Sequence, residues 1–574
     1  MFYLSSVMTH LTPSHFLAIA LTAACIAMSP QSASAQTDLT QEITIETDFT
    51  PTEQRADKLN VLPQTVKPQT EHADISYSDW AAPTEVKPTA PLMMPYPYLT
   101  SCPTDSTRGF ARIAIGTQLN ILGDIAYRVL DTKQAQATLW FRHRSTWIGH
   151  NNSDNLPDDI DNPKQQINDN SLGIDIQHSV YQGTLSASAM YHFDRYNYIT
   201  GEDLPKQTVN EALMKIAWES RRKSNGTNYS LGLTYNYFGL SKGLESDDDG
   251  NTLDASSDHH LTIAGNVEAP YNDIGIGANA AIDYLARSVN GDSHSAAILT
   301  LAPYIRYNDN EISAKIGIIA NISVNDDAVF RLAPQVDASA RLSDRVFLYI
   351  DATGGKHFST LTQIYHLDRY LNPNQKFSST YSPLDGEVGL KFGPFTGFHA
   401  KIYCGYGIFK DIATPMLITD DTTGLICLTT ATQYTATDLK GLKLGAEIGY
   451  RHSSVAQITL KAQYAPQDDD DGYFTGIDRA QATANAILTI NPIEPLSITA
   501  DYSLRAHRRA YSADYLTKAD LGNASNLSLL AAYQITPTVA ATAQAHNLLN
   551  KTWDTSFAIA HQRMAVLIGL TAKF

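Results

Sequence analysis

The stretch that decides the fold is "MAVLIGLTAKF", Met564–Phe574. In steps of two it runs Met564, Val566, Ile568, Leu570, Ala572 and Phe574, with Ala565, Leu567, Gly569, Thr571 and Lys573 between them. A period of two belongs to a β-strand with two unlike faces. Here one face is wholly apolar. That suits the last strand of a soluble sandwich as well as a strand facing lipid, so the rest of the chain has to decide.

From about Gly109 onward the alternation recurs. "NYSLGLTYNYFG" puts Tyr229, Leu231, Leu233, Tyr235 and Tyr237 on one face, and "GLKLGAEIGYRH" sets Leu442, Leu444, Ala446, Ile448 and Tyr450 against Lys443, Gly445, Glu447, Gly449 and Arg451. "PLSITADYSLRAH" opposes Leu496, Ile498, Ala500, Tyr502 and Leu504 to Ser497, Thr499, Asp501, Ser503 and Arg505. Short connections ("VYQG" at 180–183, "GPFTG" at 393–397, "NPIEP" at 491–495, "ITPT" at 535–538) alternate with long polar ones such as "GLESDDDGNTLDASSDHH" and "APQDDDDGYF". Short turns at one end and long loops at the other are the signature of a transmembrane antiparallel β-barrel of the outer-membrane type. The expected fold class is therefore all-β, with roughly 22 strands. The parity works if "GLICLTTATQY" belongs to a long outer loop spanning about 409–437 and the first strand starts near Gly109.

The bulk numbers agree. The chain has 574 residues, a net charge of −17 and 43% hydrophobic residues. Beyond the extreme N-terminus no run of ~20 apolar residues offers a membrane-spanning helix. The acidic balance argues against a nucleic-acid partner, which needs a basic surface. Tyrosine, at 30 residues against 18 Phe and 5 Trp, dominates the aromatics and suits interfaces between oil and water. Residues 1–35 read as an export signal, with "FLAIALTAACIAM" as the apolar core and Ala33 and Ala35 at the cleavage positions. Lipidation of Cys25 is the rival, disfavoured by Thr22 in the lipobox. Residues 36–104 form a segment in which prolines recur from Pro51 to Pro103, favouring extended chain over a packed domain, and residues 105–574 form the barrel.

The C-terminal part carries a family resemblance. "AQAHNLLNKTWD" followed by "QRMAVLIGLTAKF" resembles the end of a TonB-dependent receptor barrel, through Asn547, Leu548, Leu549, Asn550, Arg563, Gly569 and Phe574. The resemblance implies 22 strands, an outer-membrane location, and recognition of Val566, Ile568, Leu570 and Phe574 by the barrel-assembly machinery. "QEITIETDFTPTEQRADKLNVLPQTVKP" is similar to the start of plug-poor TonB-receptor-like barrels of Bacteroidota. Within it Glu42, Ile43, Thr44, Ile45, Glu46, Thr47 and Asp48 resemble a TonB box, which adds a strand to its periplasmic partner. The family's folded plug has no counterpart in residues 36–104.

Function is expected to be passage or uptake of a solute through a polar lumen lined by Lys443, Glu447, Arg451, Lys461, Asp501 and Arg505, with Thr499 and Gln463. The Pro-rich segment or the loops about 354–381 and 409–437 are candidates to fill that lumen. The alternative is a non-transporting scaffold whose N-terminal segment recruits a periplasmic partner. Asp247, Asp249 and Asn251 around Gly250 suggest a calcium loop, although the position of an EF-hand glutamate holds Ser256. No other cofactor is expected. Arg505, Arg508 and Arg509 are candidates to clamp lipopolysaccharide phosphates, alongside ordinary contact with outer-membrane lipid. Cys404 and Cys427 could pair as a loop disulfide. His259 and His260 after Asp258 lack any nucleophile motif or metal spacing, so an enzyme is not expected.

Overall fold

The computed structural model describes residues 107–574, apart from 149–152, 157–164, 181, 199–205, 221–225, 327–328, 420–425, 428–430, 466–479 and 513–517. The signal segment, the Pro-rich segment and the TonB-box-like Glu42–Asp48 lie outside the described residues.

One antiparallel sheet of 22 strands makes the wall. It begins with Gly109–Gly116 and ends with Ala565–Lys573. These two strands pair with each other, from Phe110 opposite Lys573 to Gly116 opposite Leu567. The sheet is thereby closed and no edge is left unpaired, the condition a β-structure must meet in hydrocarbon. The seam is completed by the Gly109 N–H donating to the Phe574 carbonyl at 2.6 Å and the Phe574 N–H to that of Gly109 at 3.0 Å. A Cβ at Gly109 would lie 2.2 Å from the Phe574 ring, so any side chain there would push that ring aside.

The pairing registers separate the two faces. Ile113, Leu231, Ile316 and Ile568, at 55%, 59%, 57% and 71% exposure, stand on the outward face. An aliphatic surface of this extent calls for lipid as its solvent. Near the short turns the outward face carries Tyr127, Tyr271, Tyr307, Phe395, Phe398, Tyr450, Tyr533 and Phe574, all exposed. Tyr127 and Phe574 stack at 6.3 Å. Such a ring of amphipathic aromatics marks the interface between hydrocarbon and water.

The end opposite the short turns differs in two ways from the expected loop pattern. The connection at Asn290–Gly291 is only two residues long, because both adopt positive φ (55° and 84°) and close a tight hairpin. The loop expected over 409–437 is shorter, because the strands Phe398–Met416 and Gln433–His452 run on into it and stay paired up to Met416 and Gln433. "GLICLTTATQY" thus contributes the start of a wall strand as well as loop.

Between the strands Val346–Phe358 and Ser379–Phe395 the chain forms one short helix, α1, Leu361–Leu367. A capping box starts it. The Gln363 N–H donates to the Thr360 hydroxyl at 3.3 Å, and the Thr360 N–H donates to the Gln363 side chain at 3.2 Å. Its apolar residues Leu361, Ile364 and Tyr365 are buried against Tyr196, Val209, Phe238 and Leu240, which belong to the inward face of the wall. The main core of this barrel is therefore inside its outer end.

Candidate functional site

The loop 359–378 that carries α1 is tied to the wall by two ion pairs, each with a buried carboxylate. Arg287 donates from Nε and Nη2 to the two oxygens of Asp258, each at 2.7 Å. The same guanidinium donates to the carbonyls of Ser359 at 2.8 Å and Phe377 at 2.9 Å, pinning both ends of the loop. Asp258 also accepts the Leu361 N–H at 2.8 Å, at the start of α1. Farther along, Arg369 Nε donates to Asp194 Oδ2 at 2.7 Å, and the Tyr365 hydroxyl donates to the same oxygen. Burial holds the Tyr365 phenol far above its ordinary value, with the Asp194 charge adding to it. Burial pulls the Arg369 guanidinium down, but the Asp194 charge and Tyr365 more than offset it and hold it above its ordinary value. Burial likewise pushes Tyr370 up to about 12.

Beside α1 lies a cavity of about 690 Å³. The wall strands contribute Arg142, Arg144, Gln165, Asp169, Ser171, His192 and Glu211, the loop contributes Tyr365, His366, Asp368 and Arg369, and the last outer loop contributes Thr555, Ser556, His561 and Gln562. The volume falls in the range of small-molecule sites. His192 lies 3.3 Å from Asp169 and 3.6 Å from Glu211, and His366 lies 3.2 Å from Glu211. The two imidazoles stack at 6.1 Å. Burial keeps His561, at the rim, below its ordinary value.

Below this filled end the inward wall carries a ladder of opposite charges. Lys401 pairs with Glu387 at 2.9 Å, Lys443 with Asp385 at 3.3 Å and Lys461 with Glu447 at 3.2 Å. Lys391 and Lys401 stand 4.5 and 4.9 Å over the Tyr349 ring. Tyr349 and Tyr403 lie flat over Gly389 and Gly445, where a Cβ would come within 2.7 and 2.1 Å of the rings.

No protein-family model matches the chain, and no curated protein does. Solved structures do. The siderophore receptor PirA from Acinetobacter baumannii is 11% identical, with 82% of this chain and 80% of that one covered and a TM-score of 0.58. The ferric enterobactin receptor PfeA from Pseudomonas aeruginosa (a G324V mutant) is 12% identical over 82% and 80%, with a TM-score of 0.60. The ferripyoverdine receptor of Pseudomonas aeruginosa, bound to ferripyoverdine, is 12% identical over 82% and 72%, with a TM-score of 0.56. The chain has the fold of a TonB-dependent receptor-like outer-membrane barrel.

In this receptor-like barrel Lys443, Glu447 and Lys461 belong to the ionic ladder just described. Arg451 stands on the same inward face near the short turns and donates to Gln457 at 3.0 Å, and Asp501 accepts from Asn485 at 2.9 Å. Arg505 lies opposite Thr483 in the adjoining strand. None of these lines the outer cavity. Val566, Ile568 and Leu570 are exposed on the outward face with Phe574.

Three other sets of expected residues lie in the outer loops or on the wall. Asp247 accepts the N–H groups of Asp249 at 3.1 Å and Asn251 at 2.7 Å, so its carboxylate shapes the turn at Gly250. Among the described residues no group of three His, Cys, Asp or Glu could hold a metal ion. Arg508 is buried and donates to the Asp554 carbonyl at 2.7 Å, knitting two outer loops together. Cys404 is an exposed free thiol opposite Val388 and Leu444 on the outward face. His259 and His260 diverge: His259 contacts Tyr235 at 2.8 Å, whereas His260 faces Asp283 at 3.4 Å.

His192, Glu211, His366 and the Asp258–Arg287 pair did not stand out in the sequence as site residues. The available signal was charge on an otherwise inward-facing alternation, in "YHFDRY" and "VNEALMK", together with the T-x-x-Q capping pattern at Thr360–Gln363.

Proposed function

We propose that this barrel carries a solute across the outer membrane through its lumen, with the loop 359–378 as the constriction that keeps a wide barrel from leaking. The observation that carries the reading is the anchoring of α1 on the inward wall through Asp258–Arg287 and Asp194–Arg369, beside a cavity of about 690 Å³. A 22-stranded wall encloses a lumen far wider than side chains alone can fill. Lys443, Glu447, Arg451, Lys461, Asp501 and Arg505 line the route beyond the constriction. The similar solved structures are receptors of siderophores, ferric enterobactin and ferripyoverdine, which makes uptake driven through Glu42–Asp48 and TonB the finer form of the proposal. Val566, Ile568, Leu570 and Phe574 serve as the assembly signal.

Two measurements test it. Ion conductance in a planar bilayer should be low for the intact protein and rise sharply when residues 361–372 are replaced by a Gly-Ser linker. Equal conductance in both would remove the constriction from the proposal. A photo-crosslinker at Ile45 should capture TonB in cells; capture of a different periplasmic protein would favour the scaffold.

A further inference from the structure

We propose that Glu211 and His366 bind a hydrated divalent transition-metal ion in the outer lumenal cavity, an inference that rests on reading the lumen as a solute path. The first observation is an unmet need. Glu211 is 98% buried, and its Oε1 accepts a hydrogen bond from Asn236 at 2.9 Å. Its Oε2, facing the cavity, has the imidazole nitrogens of His366 and His192 at 3.2 and 3.6 Å but no well-aligned hydrogen bond from either. A buried carboxylate oxygen in that state is costly unless a cation or donor reaches it.

The second observation is the distance to the nearest nitrogen. His366 Nε2 stands 3.2 Å from Glu211 Oε2. Two ligands that each lie ~2.1 Å from one metal ion are ~3.0 Å apart at a right angle and ~3.4 Å apart at a tetrahedral angle. The observed gap lies between those limits, so an ion fits both ligands with little rearrangement. One imidazole and one carboxylate form a donor set that selects zinc, nickel, cobalt or copper over calcium and magnesium.

The remaining coordination positions fall to water, because among the described residues no three such groups are placed to hold one ion together. Two protein ligands and several waters describe an ion that is held and released, as a transit site requires. His366 suits that role, since it sits on α1 with its side chain 53% exposed toward the cavity. His192 acts as a positioning residue. Its Nδ1 lies 3.6 Å from Glu211 Oε2 and its Nε2 lies 3.3 Å from Asp169, so it sets the carboxylate at the right place without being a ligand itself.

The test is equilibrium dialysis of zinc chloride against the full chain purified in detergent, with excess calcium present. One zinc per chain should be retained, and His366→Ala and Glu211→Gln should each weaken binding at least ~10-fold, the scale for loss of ligands and their supports. His366→Ala removes an exposed side chain, and unchanged hydrogen-exchange protection of α1 would verify that the loop is still seated. Failure to retain zinc would overturn the proposal. So would retention with unchanged affinity in both variants, which would place the ion on other histidines. Conductance is read separately: a loop-gated pore that binds no zinc would defeat this inference alone, whereas zinc binding without loop-dependent conductance would defeat only the passage reading.

Discussion

Replacing Asp258 with Asn isolates the interaction that holds the constriction in place. Asp258 and Arg287 are 1% and 7% exposed and share two hydrogen bonds of 2.7 Å. The substitution keeps the shape but removes the charge, leaving the Arg287 guanidinium buried and without its counter-ion. Breaking a buried pair from one side costs about 3–5 kcal/mol. The wall strands keep their own ladder of backbone hydrogen bonds, so the cost falls on the loop rather than on the barrel. At ~1.4 kcal/mol per tenfold, even the lower figure raises the open population of the loop by about 10²-fold. Hydrogen exchange followed by mass spectrometry reads this directly. Amides of 361–368 should lose about 10²-fold protection, while those of the neighbouring strand Ser257–Tyr271 stay as they were. Conductance should rise in step. Undiminished protection of α1 in Asp258→Asn would refute the claim that this pair seats the loop.

Other outcomes follow from the same description. Removing the Phe574 ring by Phe574→Ala should lower the fraction of chain that migrates as a compact, heat-modifiable barrel on unboiled gels, because the seam loses its stack on Tyr127. A Lys443→Glu, Lys461→Glu double variant should shift the reversal potential of the loop-excised pore toward cations in a salt gradient; an unshifted potential would take that wall out of the ion path. Cys404 should react with a membrane-partitioning thiol reagent in the native protein, which peptide mass spectrometry would locate. His561 gives a pH dependence. Burial depresses its folded value, so the neutral ring is the form the fold prefers. The stability it contributes is present above its unfolded value, about 6.5, and lost as pH falls through the folded one. The contact between Trp553 and His561, stacked at 4.3 Å, should therefore loosen in mild acid, with faster exchange over 553–562 that His561→Gln no longer shows.

The wall was legible in the sequence because alternation is local. Tyr229 to Tyr237 and Met564 to Phe574 each announce their two faces within a dozen residues, and a closed barrel needs nothing more than such strands and an even count. The N-terminal start near Gly109 and the turns at 393–397, 491–495 and 535–538 follow from the same reading. Loop limits were less legible. Beyond the hydrocarbon, pairing continues without an apolar face to mark it, as at Ile412–Met416 and Gln433–Thr437. The cavity could not be read from spacing. Asp169, His192, Glu211 and His366 come together only because three adjacent strands bring their inward faces to one level and α1 folds back onto them. In a linear text Asp258 followed by His259 and His260 looks like a cluster. In a strand the three point alternately to opposite sides of the wall.

The anchors of the loop 359–378 also sit unevenly along the chain. Asp194, Asp258 and Arg287 all precede the loop, on the strands Gly183–Tyr196, Ser257–Tyr271 and Ile274–Val289. The charged seat of helix α1 therefore comes from one part of the wall, and Tyr434 and Ile559, from later in the chain, add to the apolar cluster around it. The pairing of Phe110 with Lys573 joins the most distant parts of the wall. A wall left open at that seam would keep this inner lining, and its two raw margins, rather than an empty core, would be what attracts other chains.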